Sequence, residues 1–109
     1  MGETAPKDKA EIKAGEEFSK AWTIRNTGTC TWDEGYVFFF LADISSPELK
    51  GDSIVIRRSE DFTKPGHDQS FVVKLKAPNK PGEYISYWKL KDDAGNFFGP
   101  RVYVDIIVK

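Results

Sequence analysis

Apolar residues recur at every second position in several stretches of the chain. Phe18, Trp22 and Ile24 share one parity against Ser19, Thr23 and Arg25, with Lys20 as the polar interruption. Phe71, Val73 and Leu75 repeat the pattern, as do Tyr84, Ser86, Trp88 and Leu90, and then Val102, Val104, Ile106 and Val108. A two-residue period puts alternate side chains on opposite faces of a strand, so each stretch predicts a strand with one buried face. Residues 36–41 form an aromatic run without alternation, expected of a strand with little polar exposure on either side. Its parity is open: either Tyr36, Phe38 and Phe40 or Val37, Phe39 and Leu41 face outward. Residues 54–58 are short and end in two arginines, the mark of a protected edge strand. No stretch carries a helical period.

Turn residues punctuate these runs. Ala14-Gly15, Pro65-Gly66 and Pro81-Gly82 each lie just before a strand, where glycine supplies the positive φ of a turn. Residues 92–96, Asp-Asp-Ala-Gly-Asn, predict a hairpin that pairs the last two strands directly. The resulting order of about seven short strands is that of an all-β, immunoglobulin-like antiparallel β-sandwich. Residues 1–9 carry Pro6 and several charges but no periodic pattern and are expected to be a flexible lead-in. Residues 10–109 then form the domain.

Composition agrees with a single folded unit. The chain has 109 residues, 39% of them hydrophobic with 9 glycines besides, which suits one core and argues against disorder. Sixteen basic residues oppose 17 acidic ones for a net charge of -1, so no field draws in phosphate backbones and nucleic acid is not an expected partner. The longest apolar run, residues 37–42, is far below the roughly 20 residues that cross a bilayer, so no direct membrane insertion is expected. Cys30 is the one cysteine and excludes an internal disulfide; beside Trp32 it is expected to be a small core residue.

A constellation of residues then narrows the fold. Phe18, Lys20, Trp22, Ile24-Arg25-Asn26-Thr27-Gly28-Thr29 and Trp32 are followed by Gly82-Glu83-Tyr84, Trp88-Lys89-Leu90, and Phe98-Gly99 before Val102 and Val104. From about residue 15 to 108 this resembles the four-tryptophan (FW) domain, the immunoglobulin-like module of next-to-BRCA1 type proteins and of bacterial surface proteins. The chain has three tryptophans, and the second strand, where the resemblance implies the fourth, holds Phe38, Phe39, Phe40 and Leu41 instead. The following segment, residues 43–51, is longer than the resemblance implies, and Thr29-Cys30-Thr31-Trp32 looks more like the bacterial form. The resemblance implies a noncatalytic module, part of a longer protein, that binds a protein or peptide partner. The alternative it leaves is a carbohydrate-binding or spacer domain of a secreted or cell-surface bacterial protein. Location follows from that choice: extracellular if bacterial, cytoplasmic if the parent resembles an autophagy receptor.

The residues themselves offer no catalytic constellation. His67 is the one imidazole and sits in a turn with only Ser70 near it among nucleophiles, so no catalytic residue is expected. Asp92 with Asp93, and Asp33 with Glu34, lack the roughly six to eight oxygens that calcium takes, so no metal site or cofactor is expected. Trp22, Trp88 and Phe18 belong to the core by parity. Tyr84, directly after Pro81-Gly82, suits a tyrosine corner, in which the hydroxyl bonds backbone upstream. The odd-numbered neighbours Ile85, Tyr87, Tyr103 and Ile107 should face outward together and, with Trp32 in the adjacent loop, are the candidate partner-binding residues. A β-bulge at Gly99 and Pro100 is the feature that could break this parity.

Overall fold

The computed structural model describes residues 2–3 and 7–109. Met1 and residues 4–6, part of the stretch read as a lead-in, lie outside the described residues. Among the described residues eight strands follow in chain order: β1 (Gly2–Glu3), β2 (Ala10–Glu11), β3 (Glu17–Arg25), β4 (Val37–Phe40), β5 (Ile54–Val55), β6 (Asp68–Lys76), β7 (Gly82–Lys91) and β8 (Phe97–Val108). The one helical element among the described residues is a single 3-10 turn, Ser59–Asp61. Two sheets face each other, one ordered β1-β3-β6 and the other β2-β8-β7-β4-β5. This is an immunoglobulin-like sandwich. Among the described residues all strand pairings are antiparallel except that of β2 with β8.

The parity of the apolar residues sets which face is buried. Trp22 on β3 and Trp88 on β7 are both 0% exposed, and their rings meet across the sandwich at 5.0 Å. Phe38 lies between the sheets, stacked on Phe71 at 4.5 Å and parallel to Trp88 at 6.2 Å. The open parity of the aromatic run is therefore settled with Phe38 and Phe40 inward and Val37 and Phe39 outward, since Phe38 pairs with Leu90 and Phe40 with Trp88. Aromatic contacts of this kind contribute roughly 0.5–1.5 kcal/mol each beyond the burial of area. Phe18 packs on the core with part of its surface exposed. The Tyr84 hydroxyl donates to the Lys80 carbonyl at 2.6 Å, the tyrosine corner expected of its position.

Loops complete both sheets. After β4 the chain runs along β7, where Ser45 Oγ accepts from the Tyr87 amide and donates to the Leu41 carbonyl. Ser46 exchanges two bonds with the backbone of Ile85. Leu49 then enters the core at 0% exposure, its carbonyl accepting from Ser86 Oγ, and the Trp88 indole donates to the Asp52 carbonyl at 3.0 Å. The length of this loop thus serves the core and the free flank of β7.

Two expectations need correction. The described part of the stretch read as a lead-in is docked: Glu3 lies opposite Trp22, and its carboxylate pairs with the fully buried Lys20 amine at 2.8 Å. Farther on, the Lys9 amide donates to the Asp105 carbonyl and the Ile12 amide to that of Ile107. Residues 2–3 and 7–9 have no alternating pattern because they are held by backbone bonds and by the carboxylates of Glu3 and Asp8, which leave no apolar period. Cys30 is exposed, not part of the core. The buried neighbour of the tryptophan is Asn26, 1% exposed, whose side-chain amide holds the carbonyls of Cys30 and Thr63 and turns the Cys30 side chain to solvent.

Candidate functional site

Alternation along β7 and β8 sends the odd-numbered residues to the outer face of the five-stranded sheet. Tyr87 stands directly opposite Tyr103, and their rings lie 5.9 Å apart at an interplanar angle of 51°. The bulge falls where Gly99 and Pro100 predict it, but it leaves the parity intact. Trp88 pairs with Val102 and Leu90 with Phe98, so Gly99, Pro100 and Arg101 all lie opposite Lys89. An even slip returns the strand to the same face, so Phe98 points inward and Phe97 outward.

The outer face therefore carries more aromatic surface than the tyrosine pair alone. Phe97, 47% exposed, meets Phe39 edge-on at 5.6 Å, and the Lys91 amine sits over both rings, at 4.5 and 5.1 Å. The Arg101 guanidinium lies 4.7 Å from the centre of the Tyr87 ring. Phe39 belongs to one of the two parities the sequence left open, whereas Lys91, Phe97 and Arg101 were not named; the odd parity of β7 is the signal for Lys91, and counting alternate positions through the bulge is the signal for Phe97. Of the other candidates, Ile85 and Ile107 are half-buried on this face and Tyr103 is 37% exposed. Ile44, in the loop beside β7, is exposed as well.

The opposite end of the face is acidic. Asp8 accepts from the Tyr103 hydroxyl at 2.8 Å, and this bond is the main cause that raises the phenol above its ordinary pKa. Asp105 is only 6% exposed. Burial first, then a hydrogen bond to Glu83 and its charge, push the Asp105 carboxyl up to about 6, with Lys9 pulling the other way.

Trp32 needs a correction. It is 5% exposed, its backbone bridges that of Thr63, and its ring packs on Phe98 at 5.9 Å, so it is not a free surface contact. It lines a cleft of about 350 Å³ at one end of the sandwich together with Asn26, Cys30, Tyr36, Phe98 and Pro100. Asn26 shapes the wall: its Oδ1 accepts the Gly28 amide while its Nδ2 donates to two carbonyls. Burial, then the Cys30 thiol and the loop carboxylates Asp93, Asp33 and Asp92, raise the Tyr36 phenol, which stays neutral. No group of three metal-ligating side chains occurs among the described residues.

The sandwich, its tyrosine corner and its paired core tryptophans can be compared with known families. The family described as the Ig-like domain from next to BRCA1 gene matches residues 5–108. The chain belongs to this family. The next to BRCA1 gene 1 protein of Mus musculus is 34% identical over 93% of the chain, and protein JOKA2 of Solanum tuberosum 33% identical over 84%. The protein NBR1 homolog of Arabidopsis thaliana is 30% identical over 93%. The chain spans 10% of the length of the first two relatives and 14% of the third. All three come from eukaryotes, so the bacterial character read from residues 29–32 has no counterpart among them. As a next to BRCA1 type Ig-like domain, the chain carries the family fold with Phe38 and Phe40 filling the inward positions of β4.

Proposed function

We propose that this domain is a noncatalytic interaction module that binds a protein partner through the outer face of its five-stranded sheet. The observation that carries the reading is the row of rings that the bulge leaves on that face, Phe39 and Phe97 followed by Tyr87 and Tyr103. Clustered outward aromatics mark contact surfaces because they bury much area at little cost in side-chain entropy. Membership of the next to BRCA1 type family supports an interaction role over a catalytic one. The ring planes speak against a flat polysaccharide surface, which would lie on coplanar rings, since these pairs are tilted by 51° and 64°.

The double variant Tyr87→Ser with Tyr103→Ser tests the reading. The rings lie at the outer surface, so the variant should keep its fold by circular dichroism while its affinity for a cognate partner, measured by calorimetry, falls about tenfold or more. Unchanged affinity in a folded variant would move the contact to the aromatic cleft around Trp32 and Tyr36, a concave surface suited to an inserted chain.

A further inference from the structure

Two basic groups of the outer face, Lys91 and Arg101, are held against aromatic rings. Lys20, Arg25, Arg58 and Lys109 each pair with a carboxylate. Lys89, Lys91 and Arg101 have none within ion-pair distance among the described residues, and two of them rest on aromatic rings instead. The nearest acidic residues in sequence are engaged in the hairpin. The Asp92 carboxylate accepts the Ala94 and Asn96 amides, and Asp93 packs toward Gly35.

A cation above a ring is held in place by the quadrupole while its other side stays open to an anion, and the ring beside it supplies apolar area. Around Phe39, Phe97 and Tyr87 this arrangement recurs at two cations on neighbouring strands, with Lys89 opposite Phe39 between them. Toward the other end, Glu83, Asp105 and Asp8 reverse the sign. A long uniform polyanion laid across the sheet would be repelled there, whereas a short segment with acidic residues over the basic end would not.

Building on the sheet-face reading above, we infer that the Phe39–Lys91–Phe97–Arg101 end of the face is a docking site for an acidic, aromatic- or aliphatic-containing peptide segment of a partner protein. The carboxylates pair with Lys89, Lys91 and Arg101, and the apolar side chains lie against Phe39, Phe97 and Tyr87. Specificity comes from charge and area comes from the rings.

A random peptide library displayed on phage, selected on the immobilised domain, tests this. Enriched sequences should be net acidic and carry at least one large apolar residue. A synthetic peptide of the enriched sequence should shift the amides of β4, β7 and β8 around Val37, Lys89 and Phe97 in NMR titrations. The variant Lys91→Glu with Arg101→Glu, folded by the same spectra, should bind it about tenfold more weakly, and Lys74→Glu on the other sheet should not. Enrichment of neutral or basic peptides at the same amides would overturn the acidic preference and leave the sheet-face reading standing. Shifts confined to residues 26–36 would overturn both. No enrichment, or tighter binding of single-stranded oligothymidine at this face, would overturn the peptide proposal.

Discussion

At the scale of single residues, Gly51 shows how the core dictates composition in a loop. A Cβ built there would collide with Cζ2 of Trp88, on a ring held in place by Phe38, Phe40 and Trp22. Gly51→Ala should therefore destabilise the domain by about 1–3 kcal/mol in urea titration, as overpacked cores do. Asp105 gives a second prediction. Its carboxyl titrates near 6 in the fold, above the roughly 3.9 of an unfolded chain, so the native state holds the proton more tightly. Its contribution to stability is then fully present below about pH 4 and is lost as pH rises through about 6. Asp105→Asn removes the charge that Glu83 and burial oppose. It should flatten that part of the pH–stability profile and raise the melting temperature at pH 7, by an amount corresponding to about 1 kcal/mol. An unchanged profile would place the titration elsewhere.

At the scale of elements, β1 is two residues long, yet it closes the edge of β3 and brings Glu3 to the buried Lys20 amine. Removing residues 1–3 takes away both the pairing and the carboxylate facing a cation in the core. We expect a loss of about 1–3 kcal/mol, read from the urea midpoint, and a smaller loss for Glu3→Gln, which keeps the strand. The bulge in β8 has the opposite character. Gly99 adopts a φ of 75°, and Pro100 offers no amide to the ladder, so the strand is released there and re-engages at Phe98 on the same face. The alternation of Val102, Val104 and Ile106 made the strand legible, and the Gly-Pro pair made the irregularity legible. The size of the slip was not, because it depends on how the partner strand closes over Leu90.

At the scale of the whole molecule, nearly every pairing joins strands far apart in sequence: Trp22 opposes Phe71, and Ala10 opposes Ile106. The β7–β8 hairpin is the local exception. Closing long loops before their contacts form is slow, so refolding by stopped-flow tryptophan fluorescence should take roughly milliseconds to seconds, in the range of other sandwiches. Microsecond refolding would contradict this picture. Burial of Trp22 and Trp88 should make fluorescence report the joining of the two sheets.

The sequence by itself determined what depends on neighbours along the chain. Period-two alternation placed Trp22 and Trp88 in one core, Gly95 marked the hairpin with its φ of 91°, and Pro81-Gly82-Tyr84 marked the corner, because each is a local rule of backbone geometry. Tertiary structure alone decided the rest. Phe38 and Phe39 are chemically identical neighbours, and only the register against Leu90 and Lys89 sends one into the core and the other beneath Lys91. Trp32 beside an exposed Cys30 follows from Asn26 reaching across to Thr63, a bond between residues 37 positions apart. The docking of residues 2–3 and 7–9 rests on backbone groups that every sequence possesses, together with the carboxylates of Glu3 and Asp8. Such contacts leave no periodic trace in side-chain type, since their energy comes from which surfaces the closed sandwich leaves unpaired.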